Sequence, residues 1–71
     1  MNVEQIGNFA GAVWQALSVA DALGVKQIKK ATKLKKEEIF AALGWLAREG
    51  KVTIAVDPED EKELIVSLNQ D

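Results

Sequence analysis

The chain contains no cysteine, no histidine and no tyrosine among its 71 residues. Without cysteine, neither disulfides nor thiolate zinc sites are available. Without histidine the commonest general base and the commonest metal ligand are gone, so ordinary catalysis would rest on carboxylates, lysines or hydroxyls alone. There is no Gly-rich phosphate loop and no carboxylate pair in an identifiable cleft, so the expectation is a non-enzymatic protein with no cofactor and no metal. Proline occurs once, at Pro58. No apolar run approaches the length of a membrane span, and the opening MNVEQIGNFAG has no basic region before an apolar one. The default is a cytoplasmic protein without a membrane partner.

What is present describes one folded domain over residues 1–71. Nearly half the residues are hydrophobic and over a quarter are charged, as in a soluble globular protein. A chain of this size buries only about 60% of its unfolded surface, so anything that covers more apolar area matters.

The most informative stretch is KKEEIFAALGWLAREGKVTIAV, residues 35–56. Ile39, Leu43 and Leu46 recur at helical spacing, with Phe40 and Ala47 beside them. Gly50 stops the helix, and from Lys51 the period changes to two, because Val52, Ile54 and Val56 alternate with Lys51, Thr53 and Ala55. A helix that ends at glycine and runs directly into a strand is the joint between the third helix and the wing of a winged helix-turn-helix. Downstream, Leu64, Val66 and Leu68 match Val52, Ile54 and Val56 as the inward face of a hairpin with strands at 51–56 and 63–68, joined by DPEDEK.

Upstream, a first helix is expected over residues 4–22, with Ile6, Ala10, Val13 and Leu17 on one face and Glu4, Asn8, Gly11, Gln15 and Ser18 in a polar stripe. Phe9, Ala12, Ala16 and Ala20 widen its apolar arc to roughly 220°, about twice what one core requires. Alanine is a good helix former that tolerates water, but Phe9 and Trp14 point to a helix covered on one side by its own domain and on the other by a second subunit. Leu23, Gly24 and Val25 break the helix and supply a short first strand. A brief second helix follows with Val25, Ile28 and Ala31 inward and Lys26, Lys29 and Lys30 outward. Residues 32–34 form the turn, with Leu34 as the apolar plug. The third helix spans residues 36–49. Lys35 occupies its cap position, where Ser, Thr, Asp or Asn is usual, and Lys36 adds a second charge opposing the macrodipole that Glu37 and Glu38 partly offset. Gly44, inside this helix, is expected to mark close packing by a neighbour. The resulting fold class is α+β: three helices and a small three-stranded antiparallel sheet, the wing hairpin at the C-terminus.

The segments IGNFAGAVWQAL, VKQIKKATKL and ALGWLAREGKV together resemble a family of small stand-alone bacterial and archaeal winged helix-turn-helix proteins classed as a domain of unknown function. The resemblance covers nearly the whole chain, and the pairing of VWQAL with ALGWLAREGKV is its specific part. It implies the fold, a homodimer and a link to DNA or transcription, and it brings no catalytic residues.

Six of the nine basic residues, Lys26, Lys29, Lys30, Lys33, Lys35 and Lys36, fall within eleven positions that form the second helix, the turn and the start of the third. In a helix-turn-helix that region lies against phosphates. The DNA-contact candidates are Lys33, Lys35 and Lys36, with Arg48 further along; the alternative is a solvated lysine face. Two features oppose DNA. The outward face of the third helix, Glu37, Glu38, Ala41, Trp45 and Arg48, holds few base-reading side chains, and the wing tip carries Asp57, Glu59, Asp60, Glu61 and Glu63 against Lys62 alone in a chain of net charge −2. The homodimer is expected to form through Phe9, Trp14 and the alanine strip that includes Ala16, and the competing functional reading is a protein-interaction module in which Trp45, Ala41 and the flanking charges hold a partner. The alternation of Asp57, Glu59 and Glu61 lacks the glycine turn and distal glutamate of a calcium loop and reads instead as a charged hairpin tip.

Overall fold

The computed structural model describes residues 1–69. Three helices, α1 (Val3–Ser18), α2 (Val25–Thr32) and α3 (Lys36–Arg48), surround three strands, β1 (Leu23–Gly24), β2 (Val52–Asp57) and β3 (Asp60–Leu68). The antiparallel sheet has the order β1-β3-β2. This is the α+β winged helix-turn-helix expected from the sequence. No helix among the described residues is long and apolar enough to cross a membrane.

Asn2 starts α1. Its side chain accepts from the Gln5 amide at 2.8 Å while the Gln5 side chain accepts from the Asn2 amide at 2.9 Å, a reciprocal box that satisfies two donors. The helix is four residues shorter at its C-terminal end than expected. After Ser18 the Ala20 amide reaches back only to the Leu17 carbonyl, and the chain must turn at residues 19–22 to bring Leu23 and Gly24 beside Val66 and Ile65. The buried core is Ala10, Val13 and Leu17 from α1, Val25 and Ile28 from α2, Ile39, Ala42, Leu43 and Leu46 from α3, and Val52 and Val66 from the sheet. Phe9, Leu23, Leu34, Leu64 and Leu68 pack half-buried against it.

Several details differ from the sequence expectation. Ala31 is exposed, and Thr32 takes its place beside the core. From Val25, steps of three and seven residues return to one face at 100° per residue, whereas a step of six does not. The Thr32 hydroxyl donates to the Ile28 carbonyl at 2.8 Å and accepts from the Leu34 amide at 3.3 Å. In α3, Ala42 is fully buried while Phe40 is 41% exposed and Ala47 is exposed. Gly44 is not packed: a Cβ there would meet nothing within 4 Å.

The two inward sets expected from the sequence lie opposite one another in the wing, Val52 paired with Leu68, Ile54 with Val66 and Val56 with Leu64. Its connection is shorter than expected. Asp57 already pairs with Asp60, leaving Pro58 and Glu59 as the turn, and a register shift next to Val56 takes up residues 61–63. Of the inward β2 residues only Val52 is covered; Ile54 and Val56 remain 38% and 57% exposed.

The corner between α3 and the wing is closely specified. Gly50 has φ +72°, its amide donates to Ala47 and the Lys51 amide to Leu46, the paired bonds of a Schellman stop that favours glycine. Asn69 then straps the corner: its amide donates to the Lys51 carbonyl at 2.9 Å, and its side chain donates to the Gly50 carbonyl at 2.7 Å and accepts from the Thr53 hydroxyl.

Candidate nucleic-acid interface

The basic elbow is built by α2, the turn and the first turn of α3. On α2, Val25 and Ile28 face the core, which forces Lys26, Lys29 and Lys30 outward; all three are exposed, as are Lys33, Lys35 and Lys36. The only ion pair among the described residues is Lys51 with Glu49 at 3.8 Å. No carboxylate among the described residues neutralises the elbow by direct contact. Lys36 holds its ammonium 5.8 Å from the Phe40 ring centroid, a cation–π distance that orders the side chain without removing its charge.

Lys33 ends α2 in a left-handed conformation, φ 63° and ψ 14°, with its amide donating to the Lys29 carbonyl. A residue with a Cβ is strained there by roughly 1 kcal/mol relative to glycine. Lys35 is the N-cap of α3, and a lysine has no acceptor to offer the first-turn amides. Glu38 folds back instead, accepting from the Lys35 amide at 2.8 Å, which completes half of a capping box and leaves the positive end of α3 pointing outward between Lys35 and Lys36.

Beside the elbow, α2, α3 and the wing enclose a groove of about 380 Å³, lined in part by Lys26, Lys29, Lys36, Phe40, Lys62 and Leu64. Asp60 and Glu63 also border it. Glu63 serves the fold here. Its carboxylate accepts from the Lys26 amide at 3.4 Å and lies against Gly24, so the wing supplies a negative charge to the start of α2, whose own cap residue has no side chain. This use of Glu63 connects residues 37 positions apart and was invisible to local patterning. The Asn2/Gln5 box, in contrast, had a readable signal, an Asn three residues before a Gln ahead of an apolar run.

The structure brings Lys33, Lys35 and Lys36 together at one end of α3. Arg48 is exposed at the other end, about 18 Å away along the axis at 1.5 Å per residue. The residues assigned to subunit contacts divide into two sets. Phe9 and Ala16 are half-buried on one flank of the α1 core stripe, and Trp14 lies about 140° around the helix from Phe9. Trp14 instead shares a groove with Gly7, Gly11 and Trp45. Trp45 is not on the far side of α3: its ring lies 3.7 Å from where a Gly7 Cβ would be and is 37% exposed. Ala41, on the outward side, is half-buried. No group of three or more acidic side chains among the described residues is arranged to hold a metal ion.

Residues 1–68 match the family model described as winged helix-turn-helix domain (DUF2582). The chain belongs to the DUF2582 family. No curated protein matches it significantly. Among solved structures, protein BT2368 from Bacteroides thetaiotaomicron is 32% identical, with a TM-score of 0.81, over 96% of this chain and 79% of that one. The PcaV transcriptional regulator from Streptomyces coelicolor, in complex with its natural ligand, is 21% identical with a TM-score of 0.78, over 99% of this chain and 46% of PcaV. A MarR mutant from E. coli complexed with operator DNA is 18% identical with a TM-score of 0.76, over 99% of this chain and 46% of MarR. The DUF2582 chain spans about half the length of these two regulators, and at such identities the likeness is one of fold.

Proposed function

We propose that this DUF2582 protein is a DNA-binding, transcription-associated module that acts as a homodimer and grips duplex mainly through phosphates, with Lys33, Lys35 and Lys36 as the principal contacts. The observation that supports this reading best is the state of the elbow: six lysines exposed and none in an ion pair among the described residues. Three of them flank the positive end of α3, the arrangement that favours an anionic oxygen. A fold neighbour solved with operator DNA supports the same class of partner. Arg48 adds a separate contact toward the opposite end of the helix. Glu37 and Glu38 in the first turn of α3 and the acidic wing keep base readout weak, so affinity comes from counterion release and sequence discrimination is small.

Fluorescence anisotropy of a random duplex, titrated at low and moderate salt, tests the proposal. The expected result is binding whose logarithm falls linearly with the logarithm of salt, with a slope of about −3 for three phosphate contacts. Absence of binding at the lowest salt overturns it and favours a second reading, a winged scaffold that holds a protein partner. That reading draws on Trp14 and Trp45, which line one groove and are 43% and 37% exposed. Large indoles at such sites are enriched in protein interfaces.

A further inference from the structure

The outer edge of the sheet is β2, and it lacks the protection that edge strands ordinarily carry. Residues 52–56, VTIAV, contain no charge and no proline; Thr53, Ile54, Ala55 and Val56 are all exposed. Natural edges are blunted by inward charges, prolines or bulges on the edge strand. Here β2 pairs without interruption from Val52 to Val56, and the uncovered aliphatic side chains sit on the edge itself.

The direction of the backbone groups follows from one bond. The Asn69 amide donates to the Lys51 carbonyl, so by antiparallel alternation Lys51, Thr53 and Ala55 turn their polar groups toward β3. Ile54 and Val56 therefore turn theirs toward the free edge. Val52 does the same, and its carbonyl also receives a 3.3 Å contact from the Asn69 side-chain amide.

We propose that β2 is a homodimer seam, in which two copies pair their β2 strands antiparallel about a two-fold axis at Ile54 to give one six-stranded sheet. This rests on the homodimer in the reading above and places its surface on β2, in place of the Phe9, Trp14 and Ala16 face expected from the sequence. The sequence of the strand, KVTIAVD, is what selects a second copy as the occupant. With Ile54 opposite the partner subunit's Ile54, Val52 faces the partner subunit's Val56 and Thr53 faces the partner subunit's Ala55. Lys51 then meets the partner subunit's Asp57, so the two-fold axis produces two opposite-charge pairs at the ends of an uncharged seam. The backbone groups of Val52, Ile54 and Val56 are those already turned outward, so the hydrogen-bonded positions agree with the side-chain positions. A slip by two residues keeps the outward groups opposed but is poorer: one direction places Lys51 opposite the partner subunit's Ala55 and loses the charge pairs, the other places Val52 opposite the partner subunit's Pro58, which has no N–H to donate. Growth stops at two chains, because the other edge of the sheet is β1, only Leu23 and Gly24 long.

The test uses the full chain and exploits its lack of cysteine. Sedimentation equilibrium is expected to show a concentration-dependent dimer. Under mild oxidation Ile54→Cys is expected to give a disulfide-linked dimer, because paired Cα atoms at the axis lie about 5.5 Å apart. Val56→Cys is not, because the matching cysteine lies about 13 Å along the partner strand. Lys51→Asp and Asp57→Lys should each weaken dimerisation by at least about tenfold, and the double swap should restore it. If the wild type dimerises but the Ile54→Cys variant fails to cross-link and the charge swaps have no effect, the seam is overturned and the homodimer lies on another face. A wild-type monomer at high concentration overturns both.

Discussion

The elbow and the wing tip carry opposite charge, and they hold it differently. At the tip, the Asp57 carboxylate accepts from the Glu59 amide at 2.9 Å, the Asp60 carboxylate accepts from the Lys62 amide at 3.1 Å, and Glu63 reaches the start of α2. Three of the five acidic side chains thus have backbone partners within the fold: two shape a tight turn, and one supplies the negative charge that Gly24 cannot. At the elbow no lysine is in an ion pair among the described residues, and one, Lys33, is held in a backbone conformation that costs free energy. Three of the acids are explained by folding. The elbow lysines form no ion pair among the described residues that folding would explain.

That contrast can be broken most forcefully by reversing the elbow. Lys33, Lys35 and Lys36 replaced together by Glu should lower duplex affinity by more than about a hundredfold at low salt, read by anisotropy. The melting temperature should not fall, because two of the new carboxylates lie at the positive end of α3. Unchanged affinity would move the phosphate contacts elsewhere. Reversal of the two tip residues whose side chains hold no hydrogen bond in the turn, Glu59→Lys with Glu61→Lys, should act the opposite way, raising affinity about tenfold and steepening the salt slope if the wing approaches DNA; no change would place the tip clear of it. Lys33→Gly separates strain from charge: stability should rise by about 1 kcal/mol in chemical denaturation while the salt slope falls by about one. The smallest effect is expected for Glu63→Gln, a loss of about 0.5 kcal/mol in denaturation with folding otherwise intact. A larger loss would mean that Glu63 holds the wing to α2 rather than merely charging the helix end.

Much of this was legible in the chain because the relevant signals are local. The switch of period at Gly50, the period-two apolar faces of Val52, Ile54 and Val56 and of Leu64, Val66 and Leu68, and the poor cap at Lys35 each depend on residues within a few positions, and each stands in the structure as expected. What escaped depends on how elements approach one another. A helical wheel locates the core stripe of α3, but it does not reveal that Trp45, on the flank of that stripe, leans on Gly7 of α1. The same limitation misread Gly44 as packed when it faces open space. The elbow lysines were visible as a charge cluster, but their freedom from ion pairs was not, because it depends on where Asp60 and Glu63 come to rest. The split of Phe9 and Trp14 between opposite flanks of α1, by contrast, follows from their five-residue spacing on a helix and was open to the same wheel.

Gly50 and Asn69 give the molecule its mechanical character. With the left-handed residue fixed by two carbonyls and the corner strapped from the far strand, the hairpin behaves as a lever welded to its axle. The wing so anchored shares one groove with Lys36 and Phe40 of α3, so a probe attached at Lys62 stands beside the elbow and is expected to sense a ligand that settles there.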